Sequence, residues 1–349
     1  MMNGLANDII GKLFRGETNI MILVTGAGGH IGNVLVKLLY AKGHRDLRLF
    51  VQEKEDISYI EKYAKEIVRG DIRDAFAVSS AVRGCEYVFH LAGLVQISGV
   101  RKKMIYDINV GGTRNVVQAC LEKGVKRLLH VSSVHALKGQ TATEAIEESL
   151  DSDVYNLPGA YGKSKAMATV EVMNALQKGL DAVIVFPTGV IGPYDFKSSY
   201  TGSAIKGYID AKKTQYYFNG KYDFVDVRDV ADGIYRAWKF GEKGQGYIIS
   251  GSVSSLEEII DAVEASTGHT IKRRRVPYAL VKLAAILAPI YYALARKKPI
   301  LSKYSVEVLM SNSNISCEKA QTKLGYKPRP LGRTIRDMVR WHRALKSRA

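Results

Sequence analysis

The stretch ILVTGAGGHIG, residues 22 to 32, decides the fold: an apolar, β-branched run enters Gly26, Gly29 and Gly32 and leaves into NVLVKLLYAKG (33–43), which has helical apolar spacing. A strand, a glycine turn and a helix in that order open a β-α-β unit. The same alternation continues outward through DLRLFV (46–51), YVFHLAG (87–93), GTRNVVQACLEKG (112–124) and RLLHVSS (127–133). The strand runs are short and nearly all apolar, as expected where helices cover both faces of a parallel sheet.

The pattern predicts an α/β chain with a doubly wound parallel sheet and a smaller, interleaved C-terminal lobe. A helical pattern from Tyr161 to Gly179 precedes the strand run AVIVF (182–186), after which the sequence reads as irregular to about residue 222. FVDVRDVADGIYRAW (224–238) reads as a strand end and a helix capped near Asp229, and beyond about residue 245 one strand and several helices are expected. The expected division is an extension over 1–20, a nucleotide-binding part over 21–185 with about 222–240, and a substrate-binding lobe over about 186–221 and 241–349.

With 349 residues, 46% hydrophobic and 24% charged, the chain suits a folded enzyme with a large core. Cys85, Cys120 and Cys317 lie too far apart in sequence for a metal-ligand or disulfide pattern, so no metal is expected and a reducing, cytoplasmic setting fits. A net charge of +17 speaks to association, to nucleic acid, an anionic membrane or acidic ligands. No nucleic-acid module is visible. The apolar stretch LAAILAPIYYALA (283–295) is broken by Pro289 and too short to span a bilayer, but Lys272 to Arg275 and Arg296 to Lys298 flank it. Burial is one reading of it and peripheral membrane contact the other.

The glycine turn sets free backbone N–H groups and a helix N-terminus against a phosphate, which points to a dinucleotide. Where an acidic residue would hold the adenosine ribose, the chain reads Phe50-Val51-Gln52-Glu53-Lys54, with Glu53 and Lys54 pulling toward NAD and NADP respectively and a lean to NAD. Asp71, in Gly70-Asp71-Ile72, is placed to accept from an adenine amino group.

Tyr161 and Lys165, in AYGKSK, are four residues apart and share a helix face. A lysine cation beside a phenol lowers its pKa, which suits proton exchange with a substrate hydroxyl or carbonyl. Ser132 and Ser133 end a strand run at the carboxyl edge of the sheet, where one of them can hold the substrate oxygen.

Together these motifs resemble the extended short-chain dehydrogenase/reductases, a Rossmann-type family, over about residues 20–345. The resemblance rests on TGAGGHIG, GDIRD, FHLAG, NVGGTRNVVQAC, VSS, YGKSK, FPTGVIGP, VDVRDVADG and LGYKPRPL. It implies Ser133, Tyr161, Lys165 and Asn109 as the catalytic set. For the cofactor it implies Gly26, Gly29, His30, Ile31, Gln52, Asp71, Ile72, Leu91, Ala92, Gly93, Tyr161, Lys165, Pro187, Thr188 and Val190.

Within the family the chain looks most like dihydroflavonol-4-reductase and 3β-hydroxysteroid dehydrogenase relatives, implying hydride transfer on a bulky, apolar steroid-, isoprenoid- or flavonoid-like substrate. Tyr278, Tyr291 and Tyr292 are expected to line or cover such a pocket, and His135 to lie near it. The resemblance also implies a homodimer. A nucleotide-sugar epimerase is the alternative, with Arg273 to Arg275 as its diphosphate clamp, and a catalytically silent cofactor sensor is the third reading.

Overall fold

The structure, a computed structural model, describes residues 20–95, 102–137, 145–150, 154, 157–294, 303–310 and 313–347. The N-terminal extension and the loop beyond Leu137 fall outside them, as do the side chains of Tyr291 and Tyr292. Seven parallel strands form the central sheet: β1 (Ile22–Thr25), β2 (Leu47–Val51), β3 (Glu66–Arg69), β4 (Tyr87–His90), β5 (Arg127–Val131), β6 (Ala182–Pro187) and, later in the chain, β10 (Gly246–Ile249). Their spatial order is β10-β6-β5-β4-β1-β2-β3. The order reverses direction between β1 and β4, and there, at the carboxyl ends, a doubly wound sheet opens its ligand crevice.

The strands are apolar because both faces are covered. Ile22, Leu23, Val24, Leu47, Leu49, Val88, Leu128, Leu129 and Val183 are all fully buried, and helices His30–Ala41 and Val227–Phe240 pack against each other on one face. On the other face, Ala75–Val82, Gly112–Glu122 and Gly159–Gln177 follow one another across the sheet. The three free cysteines are buried among these elements.

The stretch expected to be irregular after β6 holds short elements instead, β7 (Gly189–Ile191), the helix Tyr200–Ile209 and β8 (Gln215–Tyr217), while β9 (Lys221–Asp226) contains the strand end expected from residue 224. Likewise β11 (Ser252–Ser255) and β12 (Arg273–Arg275) join β10 where one strand was expected. Three-residue strands are too short for an alternation to show. β11, β9 and β7 form a small sheet, β12 pairs with β8, and a second apolar cluster joins Ile191, Ile205, Phe224, Ile260 and Met338.

The helix after β9 is capped by Asp226, not Asp229: the Asp226 carboxylate accepts the Arg228 N–H at 2.8 Å. Asp229 instead sits in the first turn and accepts the Arg329 N–H at 2.8 Å, with the Arg329 guanidinium also 2.8 Å from its carboxylate. This is the physical meaning of the LGYKPRPL motif: Arg329 clamps the tail to a buried acidic pair, and Tyr326 donates to the Ser250 carbonyl at 2.8 Å. Burial alone would raise the pKa of Asp226, but Arg228 and Arg329 outweigh it and hold it below its ordinary value. Replacing Arg329 with Met strands the Asp229 carboxylate, whose side chain is 5% exposed. The expected cost is about 2–4 kcal/mol, read as a lower urea midpoint at unchanged slope; a loss under about 0.5 kcal/mol would deny the clamp a structural role.

Candidate active site

The glycine turn leaves β1 at Gly26, whose φ is +67° and whose added Cβ would stand 2.7 Å from the Ala92 nitrogen at the end of β4. A Cβ at Gly32 would stand 2.2 Å from the Gly26 carbonyl oxygen. Hydrogen is therefore the one substituent both positions accept, and the helix His30–Ala41 can start directly beneath the turn. Its N-cap is Gly29, with no side chain bonded across its end. Such a cradle fits the pyrophosphate of a dinucleotide.

Around the turn stand groups that sequence reasoning missed. Tyr59 donates to the Gly28 carbonyl at 2.7 Å and stacks on Phe196 with ring centroids 4.0 Å apart. The Glu55 carboxylate lies against Gly28, accepts the Gln52 N–H at 3.0 Å and pairs with Lys197. Glu53 and Lys54, the residues weighed for the ribose, are exposed, and Glu55 is the acid turned inward. Partners this far apart in sequence, 142 residues for Glu55 and Lys197, leave no local signal. His30 bonds the Pro193 carbonyl at 2.9 Å, and burial lowers its pKa. Gln52 is exposed, Asp71 is engaged by Arg73, and Ile72 is buried against Gly112.

Past the turn, a run of buried hydrogen bonds crosses the sheet edge. Thr25 Oγ1 meets His90 Nδ1 at 2.8 Å, His90 Nε2 meets Thr113 Oγ1 at 2.9 Å, and Thr113 donates to the Asn109 carbonyl at 2.6 Å. Asn109 sits in a π-helical turn, Asp107–Gly111, a local widening often found at functional sites. Its side chain donates to the Leu94 carbonyl and to Ser164 Oγ at 3.1 and 2.9 Å, and accepts the Leu94 N–H at 2.7 Å. Ser164 in turn donates to the Tyr161 carbonyl at 2.8 Å. Leu91, Ala92 and Gly93 thus lie between the glycine turn and the helix that carries the tyrosine.

That helix, Gly159–Gln177, begins two residues earlier than the apolar pattern suggested, so Tyr161 and Lys165 occupy its first two turns. Ser133 stands close enough to Tyr161 to offset part of the pKa rise that burial imposes on the phenol, and Ser133 accepts the His135 N–H at 3.3 Å. Ser132 points elsewhere, to Thr169 at 2.9 Å, which separates two serines that adjacency left equivalent. The Lys165 ammonium donates to the Val131 carbonyl at 2.7 Å, and burial lowers its pKa to about 8.

The expected lowering of the tyrosine pKa by the lysine is not what burial produces: desolvation raises Tyr161, the neighbouring Ser133 hydroxyl offsets part of this, and Lys165 donates to a carbonyl. A phenol held neutral donates rather than accepts a proton. His135 lies nearby, its ring 5.9 Å from Tyr161 and bonded through Nε2 to the Tyr222 hydroxyl at 3.3 Å, with its pKa lowered by burial to about 4. At the end of β6, Pro187 is followed by Thr188, which donates to the buried Asp223 at 2.5 Å, and Val190 lies in β7. Arg273 does not point at a free anion, since it pairs with Asp261 at 2.6 Å and Glu264 at 3.7 Å. Among the described residues no cluster suits a metal ion.

The chain belongs to the NAD dependent epimerase/dehydratase family, whose family model matches residues 22–250. It is 30% identical to sterol demethylase protein B of Methylococcus capsulatus over 92% of this chain and 98% of that one. It is also 30% identical to a putative dihydroflavonol 4-reductase of Synechocystis, over 91% and 93%. Human 3 beta-hydroxysteroid dehydrogenase type 7 is 29% identical over 88% and 91%. In fold, the chain is similar to Thermus thermophilus UDP-glucose 4-epimerase in complex with NAD, with a TM-score of 0.73 at 21% identity over 93% and 99%. The glycine cradle and the family agree on a nicotinamide cofactor.

Gly26→Ala is expected to weaken nicotinamide-dinucleotide binding by at least about tenfold, because a Cβ at positive φ must push the turn off Ala92. Fluorescence titration with the cofactor reads this, and wild-type affinity in that variant would contradict the cradle.

Proposed function

We propose that this protein is an NAD(P)-dependent dehydrogenase or reductase acting on a hydroxyl or keto group of a bulky, apolar substrate of steroid, isoprenoid or flavonoid type. The observation that carries the reading is the juxtaposition, at the sheet's carboxyl edge, of Ser133 with Tyr161 and of Lys165, buried one helical turn past Tyr161 and held by the Val131 carbonyl. The names of the relatives, which speak of sterol, hydroxysteroid and dihydroflavonol chemistry, support the substrate class.

A bound nicotinamide dinucleotide supplies hydride transfer. Ser133 holds the substrate oxygen, and Tyr161 delivers its phenolic proton to that oxygen during reduction. The raised pKa of Tyr161 keeps that proton in place at neutral pH. Lys165 would hold the cofactor ribose with the donors that the Val131 carbonyl leaves, Asn109 positions the tyrosine helix through Ser164, and Pro187 to Val190 would hold the nicotinamide carboxamide. Glu55 at Gly28 favours NAD, since a 2′-phosphate beside a buried carboxylate is repelled. Buried free thiols fit a reducing, cytoplasmic compartment, and exposed Met167 and Val170 on the tyrosine helix fit a homodimer through that helix. The epimerase reading is weakened by the pairing of Arg273 within its own lobe.

Nicotinamide absorbance, followed with NAD or NADP and a panel of sterols, flavonoids and UDP-sugars, tests the reading; UDP-sugar interconversion without net redox change would replace it with the epimerase. Against the accepted substrate, Tyr161→Phe and Ser133→Ala should each lower kcat by roughly 10²–10⁴-fold while cofactor binding persists. Ser132→Ala should leave kcat within about threefold, because its hydroxyl faces Thr169. Equal losses from both serine variants would undo this assignment.

The depressed pKa of Lys165 gives a pH dependence with a definite sign: its charge is present below about 8 and lost as pH rises through that value. kcat/KM for the cofactor is therefore expected to fall above about pH 8, a limb that Lys165→Met should remove. His135, neutral above about 4, should add no limb between neutrality and pH 6.

A further inference from the structure

The helix Tyr278–Leu294 wears its apolar residues inside out. Over residues 278–288 its inward positions are small, Val281, Ala285 and Ala288, and Val281 and Ala285 rest on a cluster containing Phe218 and Val306. Its large apolar residues point outward: Leu280, Leu283, Ile286 and Leu287 are 56%, 55%, 55% and 54% exposed, and Tyr278 is 42% exposed. A helix facing water normally carries charge on that side. Here Lys282 is the charged residue among positions 278–288.

Charge says what covers the face. Between Glu264 and Glu307 the sequence holds nine Lys or Arg and no Asp or Glu, about half of the net charge of +17. Lys272, Arg274, Arg275 and Lys282 lie exposed beside the apolar stripe. A second copy of the chain would bring the same cations face to face across an isologous contact, which is unfavourable. An anionic lipid surface satisfies both features at once, taking the apolar side chains below the headgroups and the cations at their level. No described helix is long and apolar enough to cross the bilayer, so the helix would lie in its plane.

We propose that the outer face of residues 278–288, with its basic rim, docks this protein onto anionic bilayers. The placement brings lipid close to the site, because Phe218 under the helix lies just before β9, and Tyr222 of β9 bonds His135 beside Tyr161. The proposal does not depend on the assignment of Tyr161, and its readout is partition rather than turnover.

The test is sedimentation of the full chain with phosphatidylcholine vesicles containing or lacking phosphatidylglycerol. The expected result is at least about tenfold stronger partition onto the anionic vesicles, weakened by salt, as a few interfacial cations would give. A Leu283→Ser, Ile286→Ser, Leu287→Ser variant with an unchanged circular dichroism spectrum should lose most of that partition, and Arg274→Glu with Arg275→Glu should lower it about tenfold or more. Tyr161→Phe should bind as wild type. Absence of wild-type binding, or equal binding by the serine variant, would overturn the proposal. So would a wild-type dimer in ultracentrifugation that the serine variant turns into monomers, since the face would then belong to a second copy.

Discussion

The carboxyl edge of the sheet depends on one close approach, the passage of Gly26 beneath the backbone of Ala92. Because β1 and β4 are neighbours in register, with Thr25 opposite His90, the glycine turn and the loop after β4 leave the sheet side by side. A side chain at residue 26 would part them and break the sequence of contacts that begins there. The Ala92 N–H donates to Thr25 Oγ1 at 3.2 Å, and the buried bonds through His90, Thr113, Asn109 and Ser164 then reach the tyrosine helix. Burial drives the His90 pKa down to about 3, so the ring is neutral and serves as one donor and one acceptor. The glycine turn and the helix that carries Tyr161 are therefore parts of one polar frame.

A second constraint is the buried charge of Lys165. Burying an ammonium is costly unless its donors are used, and the Val131 carbonyl at the end of β5 takes one of them. The remaining donors are those that the proposed function assigns to the cofactor ribose. The cost appears as a pKa near 8, within reach of ordinary pH.

The parallel sheet was legible because each of its strands is long enough, and apolar enough, to declare itself between a turn and a helix. That Tyr161 and Lys165 share one helix was legible from spacing. What stayed hidden was decided by contacts distant in sequence. Ser132 and Ser133 differ only in which helix side chain each meets, Thr169 or Tyr161. Asp229 had the right type and place for a cap, but Arg329, exactly 100 residues later, claims it and leaves the cap to Asp226. The sign of the tyrosine shift depended on burial and on a carbonyl partner for the lysine, neither of which spacing contains.

The bridge over the glycine turn bears on how a cofactor comes and goes. Glu55 with Lys197 and Tyr59 with Phe196 join the loop after β2 to the segment after β7, directly above Gly28. Both sides are loops, which open locally at far lower cost than the sheet beneath them. The bridge can therefore part as a local event, separate from unfolding, and it is half ionic and half aromatic. Salt loosens the first half and leaves the second alone, so the bridge weakens with ionic strength while the apolar sheet beneath it does not.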